Sequence, residues 1–423
     1  MKKFLAALIF FMTLANTAAA SDELDAAEIR LACAVCSMGA YSDDQSYLMR
    51  SSLTSRGWVI EKLSKKTNRA DAKAYLVSKG DVKILAIAGT ESLKDVEVDF
   101  RIGRVTLNKD SVPLPYDEVT SDKIFVHRGF RDYADVVLSD GLAERLKTTL
   151  EKNPNTTLYL TGHSLGGSVA TVMAIRLADM GVAKSQLKVI SFGAMAIGSR
   201  AFAENYADKI DLTRVVMKGD LLKKSLRALG YVQFGEPLEY RQSVTSDHFE
   251  HKMAVYLDCA IRDYYNAGGT FKHDSTDKIK AAVYAAPIFL VKGSFHKSDK
   301  DLILSALNDS LANHFSNLTM ANEPSVEIKD KDIFDEDFSE YVAAAKNFGC
   351  DYVLIRVLKA KKIRDAPLGD RQVTLEEIIL DKNGFPLSMQ TSGSTTKELT
   401  IFEAALAAHE TLTEGLKLAL SGR

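Results

Sequence analysis

Three things are scarce in this 423-residue chain: excess charge of either sign, cysteine, and long apolar runs beyond its first twenty residues. Lys and Arg number 54 against 56 Asp and Glu, a formal net charge of −2. That balance lacks the basic footprint nucleic acid would require, so no nucleic-acid partner is expected. The four cysteines, Cys33, Cys36, Cys259 and Cys350, allow three pairings that spacing does not rank. Cys33-x-x-Cys36 falls in a helical pattern (Leu24, Ala27, Leu31, Val35) with no strand before it, so a thioredoxin-like redox pair is not expected and structural or free thiols are. No stretch after residue 20 is long and apolar enough to cross a bilayer. What remains is ordinary for a soluble globular protein, 46% hydrophobic and 26% charged, and long enough for two or three domains.

The first twenty residues read differently. Lys2 and Lys3 precede the apolar run Phe4 to Leu14, and Ala18-Ala19-Ala20 offers a small-residue cleavage site before Ser21. This is the pattern of a cleavable secretory signal peptide, which places the mature chain in the periplasm or outside the cell. Loss of the two lysines takes the basic count from 54 to 52 against 56 acidic residues, a net −4.

The most informative stretch is Leu158 to Ala178. A short apolar strand runs through Leu158-Tyr159-Leu160 into Gly162-His163-Ser164-Leu165-Gly166, and a helical pattern follows from Ser168. Gly-x-Ser-x-Gly between a strand and a helix is the pattern of a nucleophile elbow. The tight reversal strains the central residue and brings its neighbours two positions away into close contact, so glycines fit there. Ser164 is then presented above the sheet edge, and the Leu165 N–H at the helix start can face a developing oxyanion.

Before the elbow, Met38 closes an opening helix and a second helix is expected within Tyr47 to Leu63. Ala74–Ser78 and Val82–Ala88 read as a hairpin whose second strand is buried. That strand ends at Gly89-Thr90, and the Thr90 N–H is the second oxyanion candidate, with its hydroxyl beside it. Lys94 to Val126, irregular and charged, could cover the serine as a lid or form an ordinary surface loop. One helix is expected from His127 through Leu146, with His127 structural. After the elbow, Leu187–Gly193 and Leu212–Gly219 alternate with helices, so the sheet is largely parallel. Asp220 follows the second strand and is the expected acid; Asp208, Asp211 and Asp247 follow no strand end. The base should come later in the chain. His248 and His251 both qualify mechanically and are not separated by it, while His273 and His296 are less well placed.

Taken in order, Ala88-Gly89-Thr90 with Asp95 and Asp99, His127-Arg128-Gly129-Phe130, Thr161 to Gly167, Ser191-Phe192-Gly193-Ala194, Val215 to Asp220, and His251 with Met253 and Tyr256 resemble the class 3 lipase family of α/β-hydrolases. The resemblance covers about residues 40–265. It implies an α/β-hydrolase fold with a mostly parallel sheet and a catalytic set of Ser164, Asp220 and His251. Its His-x-Met-x-x-Tyr pattern favours His251 as base, with His248 the alternative. It implies hydrolysis of carboxylic esters (triacylglycerols, phospholipids in the A1 manner, or smaller esters) without metal or organic cofactor, and transient contact with a membrane surface. The chain departs from the family at Ile87-Ala88, Met195 and Leu221-Leu222, positions that bear on lid geometry and pocket shape. A silent lipid- or protein-binding module on the same scaffold is the alternative reading.

The expected division is a signal peptide at 1–20, the hydrolase domain at 21–270, a linker at 271–285 and a smaller αβ domain at 286–423. The last contains amphipathic helices at Asp301–Phe315 and Phe338–Phe348, strands at Tyr352–Leu358 and Val373–Leu380, a hairpin turn at Asp381–Gly384 and a closing helix at Ile401–Leu420. Its pattern is weakly similar to small αβ domains of bacterial envelope proteins such as the TolB amino-terminal domain and CsgG-like proteins. That likeness implies an envelope protein partner rather than chemistry.

Overall fold

The computed structural model describes residues 2–41, 53, 57–66, 71–89, 103–107, 123–222, 226–242, 250–272, 277–329, 337–364, 366, 370–397 and 399–420. The chain forms two compact units, one of residues 1–243 and 249–267 and the other of 244–248 and 268–423.

The first unit is built on a seven-stranded sheet. Its strands are β1 (Val59–Lys66), β2 (Asp71–Lys79), β3 (Val82–Ile87), β6 (Thr157–His163), β7 (Leu187–Phe192), β8 (Asp211–Met217) and β9 (Glu236–Tyr240), in the order β1-β2-β3-β6-β7-β8-β9. The β1-β2-β3 edge is antiparallel and every later pairing is parallel. A separate ribbon pairs β4 (Arg104–Val105) with β5 (Val126–His127). The fold is therefore α/β with a mostly parallel sheet. Parallel neighbours need crossovers, and the first three run through α2 (Arg128–Leu138) with α3 (Leu142–Lys152), then α4 (Leu165–Asp179), then α5 (Arg200–Tyr206).

Two local expectations are corrected. Val59–Leu63, taken as the end of a helix, lies in β1, which pairs residue for residue with β2; cross-strand pairing along eight residues outweighs a short stretch of helical spacing. The single helix from His127 to Leu146 is two helices. Asp140 (φ 53°) and Gly141 (φ 81°) break it, and Gly141 tolerates that conformation at little cost.

Helix α4 is apolar on almost every face, from Val169 through Leu177, because it is enclosed by α2 on one side and by β3, β6 and β7 on the other. The N-terminal helix α1 (Lys2–Gly39) is likewise buried from Leu31 to Gly39. It packs on α6 (Met253–Asn266) and β6. Arg30 pairs with Asp263 at 2.8 Å, and the Ser37 and Thr161 hydroxyls lie 3.0 Å apart. All four cysteines are buried and no disulfide links them. Burial pushes the Cys33 thiol up to about 12, away from the thiolate that redox exchange requires.

The second unit carries a mixed sheet of β10 (Val283–Val291), β11 (Leu318–Met320), β12 (Ser325–Ile328), β13 (Tyr352–Lys362), β14 (Arg371–Asp381) and β15 (Pro386–Thr395). β10 runs parallel to β11, β12 and β13, whereas β13-β14-β15 is antiparallel. All nine residues of β10 are buried, as a strand covered on both faces must be. One face packs on α8 (Ser339–Asn347) through Val342 and Ala345. The other meets α7 (Lys297–His314) and α9 (Ile401–Leu420) through Leu311, Leu416 and Leu420. The stretch expected as a linker at 271–285 is anchored at both ends. Phe271 is buried and its N–H bonds Asp309 at 3.0 Å, and β10 begins at Val283. The polar run between these anchors suggested a linker because it hides them.

Charges lie buried on the α7/α9 side. Arg356 stands opposite Glu377 in the β13–β14 register, donates to Asn308 Oδ1 at 2.7 Å, and Glu377 meets His409 Nδ1 at 3.2 Å. Glu410, nearby on α9, accepts from Ser310 at 2.9 Å. Burial raises its carboxyl to about 7, against the opposing charge of Lys417. The folded chain therefore retains a proton between about pH 4.5 and 7 that the unfolded chain gives up. Its stabilising contribution is full below about 4.5 and is lost as the pH rises through 7. Glu410→Gln keeps the acceptor without the charge. Thermal melts from pH 4.5 to 8 should show the variant gaining on the wild type as pH rises, by roughly 1–3 kcal/mol at pH 8; a constant difference across that range would refute the assignment.

Candidate active site

The end of β6 and the start of α4 meet in a turn that only certain residues can occupy. A side chain at Gly162 would come within 2.4 Å of the Gly166 carbonyl carbon, and one at Gly166 within 2.3 Å of the Ile87 carbonyl oxygen. The two glycines let strand, turn and helix close on one another and on β3. Between them Ser164 adopts φ 57° and ψ −121°, a region costly for a residue with a Cβ. Its N–H is held by the Phe192 carbonyl at 2.9 Å, so the strained conformation is fixed from the neighbouring strand.

The Ser164 hydroxyl lies 2.9 Å from His251 Nε2. His251 Nδ1 lies 2.7 Å from Asp220 Oδ2. The three side chains form one hydrogen-bonded line drawn from the turn after β6, the loop after β8 and the loop before α6. All three residues are buried, with exposures of 4%, 4% and 1% in the order serine, histidine, aspartate. Burial by itself would raise the Asp220 carboxyl. The hydrogen bond and charge of His251 outweigh it, joined by the Tyr256 hydroxyl and the Leu222 N–H, and hold the carboxyl below its ordinary value. The ionised aspartate can then keep a proton on His251 Nδ1, leaving Nε2 free to accept one from the serine. Leu165 opens α4, and a first-turn N–H has no partner within its helix, so it is available to an oxyanion beside Ser164.

The other expected positions divide clearly. Thr90, His248, Asp247, His273 and most of the stretch read as a lid lie outside the described residues. Asp208 is exposed, and Asp211 opens β8 at 3.9 Å from Lys188. His296 caps α7 in the second unit. His127 is buried, with its ring stacked 4.3 Å from Phe130. Burial brings its pKa down to about 4, and its place is in the packing beneath α2.

Sequence reasoning missed the roles of two further side chains. Tyr256 donates to Asp220 Oδ2 at 2.7 Å and accepts from the Met217 N–H at 3.2 Å. Burial and the charge of Asp220 raise the phenol far above its usual range, so it stays a donor. It stood in the His-x-Met-x-x-Tyr pattern, but only as a letter: the loop end and the first turn of α6 separate it from His251, and only the fold turns it toward the aspartate. His163 lies between Tyr41 and His251. Its Nδ1 is 2.6 Å from the Tyr41 hydroxyl and its Nε2 is 2.6 Å from the His251 carbonyl.

Residues 84–227 match the model of the class 3 lipase family. Among curated proteins, a Caenorhabditis elegans lipase is 39% identical over 70 residues, 16% of this chain and 20% of that one. A Rhizomucor miehei lipase is 28% identical over 170 residues, 38% of this chain and 43% of the other. The chain thus spans between a fifth and less than half the length of these relatives. Among solved structures, the Rhizomucor miehei lipase propeptide complex superposes with a TM-score of 0.39 at 21% identity, covering 52% of this chain and 69% of that one. Lipase II from Rhizopus niveus gives 0.41 at 18%, covering 51% and 80%. The matched segment carries most of β3, the strained serine, the crossover helices and Asp220.

Proposed function

We propose that this chain is an exported serine hydrolase that cleaves carboxylic esters of lipids. The observation that carries the reading is the continuous hydrogen-bonded line from Ser164 through His251 to Asp220. Ser164 attacks the ester carbonyl carbon while His251 Nε2 takes its proton, and Asp220 orients the imidazole and stabilises the imidazolium. The tetrahedral oxyanion accepts from the N–H of Leu165 and that of Thr90, each donor contributing roughly 3 kcal/mol in comparable sites. Collapse expels the alcohol, which takes the proton from His251. Water activated by the same imidazole then releases the fatty acid from the acyl-serine.

The match of residues 84–227 to the class 3 lipase model supports lipid esters as the substrate class, and the lipases named above are the relatives that favour it. Triacylglycerols, the sn-1 ester of phospholipids and short-chain esters all present the same carbonyl to this line. Hydrolysis of a panel of the three assigns the head group. The lysine pair, apolar run and alanine-rich site of residues 1–20 support export to the periplasm or beyond.

Ser164→Ala is expected to abolish both ester turnover and labelling by a fluorophosphonate, with the thermal midpoint retained. Labelling that persists in this variant would eliminate the mechanism, and a wild-type chain that never labels would favour the silent lipid- or protein-binding module. Tyr256→Phe removes one donor from a buried carboxylate and should lower kcat about ten-fold with KM little changed; an unaltered kcat would show that the phenol is only packing. For export, amino-terminal sequencing of the chain recovered from periplasm or medium should begin at Ser21, and a chain retained in the cytoplasm with Met1 intact would refute it.

A further inference from the structure

We propose that Tyr41, just past the N-terminal helix, is a positioning residue that holds the neutral His163 ring by donating to its Nδ1, and through that ring the backbone of the base, His251. The inference rests on the serine-hydrolase reading of the site and adds to it a group from the N-terminal segment.

The proton map follows from valence. His163 is a buried imidazole with both ring nitrogens in short contacts, Nδ1 with the Tyr41 hydroxyl and Nε2 with the His251 carbonyl, each at 2.6 Å. A neutral imidazole has one N–H and one lone pair. The carbonyl can only accept, so the N–H must sit on Nε2. Nδ1 is then the lone-pair nitrogen, and the Tyr41 hydroxyl must donate to it. Burial, reinforced by the neighbouring His251, brings His163 down to about 3 and keeps the ring in this neutral form at working pH.

The consequence for the base is geometric. The opposite tautomer of His163 would set a lone pair on Nε2 against the lone pairs of the His251 carbonyl oxygen, and the loop before α6 would have to move. That loop holds an imidazole in two hydrogen bonds of 2.7 and 2.9 Å, where displacements of a fraction of an ångström reduce rate. The Tyr41 hydroxyl also rests against the end of β3. A methyl group at Gly89 would come within 2.3 Å of Tyr41 Oη and 2.6 Å of the His163 carbonyl oxygen. One hydroxyl therefore sits where the ends of β3 and β6 converge, one residue before the expected oxyanion donor Thr90 and one before Ser164. The Tyr41 ring is itself buried.

Tyr41→Phe removes only the hydroxyl. In the full chain labelled with nitrogen-15 histidine, the wild type should show His163 neutral with its proton on Nε2 at pH 7, the resonance being assigned by its loss in His163→Gln. Tyr41→Phe should keep the proton on Nε2, where the carbonyl holds it, but move the Nδ1 resonance to that of an imidazole nitrogen with no donor. With a soluble short-chain ester, its kcat should fall 10- to 100-fold at unchanged KM, the range expected when a buried acceptor loses its donor. His163→Gln keeps an N–H for the carbonyl and has no Nδ1 for Tyr41 to hold, so adding Tyr41→Phe to it should lower kcat less than two-fold further. An Nδ1 resonance unmoved in Tyr41→Phe, or losses that multiply in the double variant, would overturn the proposal. If the wild type neither hydrolyses esters nor labels, the hydrolase reading fails, and the nitrogen-15 measurement still decides whether Tyr41 holds the His163 Nδ1.

Discussion

The strained backbone at Ser164 is the constraint on which the rest of the first unit depends. A residue at φ 57° and ψ −121° persists only where its surroundings over-determine it. Here three elements do so: β7 holds the serine N–H through Phe192, α4 presses down through Gly166, and β3 receives that approach at Ile87. The parallel sheet, the apolar helix and the glycine spacing are all conditions for keeping one hydroxyl where an imidazole can reach it.

Around that fixed point the polar groups follow a simple electrostatic order. An ionised carboxylate lies at one end, held low by His251, Tyr256 and a backbone N–H against the cost of its own burial. A second imidazole, His163, lies beside the first with their ring centres 4.6 Å apart. Burial suppresses its charge. Of the two adjacent imidazoles it is His251 that is hydrogen-bonded to Asp220.

Much of this arrangement was legible in the sequence, because its signals are local. The elbow is written in five consecutive residues, the hairpin of β2 and β3 in two β-rich runs about a Gly-Asp turn, and Asp220 in its place just beyond a strand. The choice of His251 over His248 needed the family pattern, since both sit at equivalent distance along the chain and mechanics alone did not divide them. Other features were illegible for physical reasons. β1 is a strand because of a partner it pairs with, not because of its own spacing. The break at Asp140–Gly141 interrupts an apolar periodicity that continues on either side. Tyr41 lies 122 positions from His163, and Arg356 and Glu377 meet only across the β13–β14 register. No window of sequence contains such pairs.

The buried part of α1 has a consequence for how the chain acquires its structure. Arg30 on this helix finds its carboxylate 233 residues later, on Asp263, and the same carboxylate accepts from Tyr240 at 3.1 Å. An apolar helix must therefore wait through the synthesis of nearly the whole unit before its docking surface on α6 exists. Contacts of such long range make for slow assembly and prolonged exposure of sticky surface. A chain that stops short of α6 holds every strand of the sheet and the serine itself, yet offers α1 only β6 and its neighbouring strands and leaves the other half of its seat unmade.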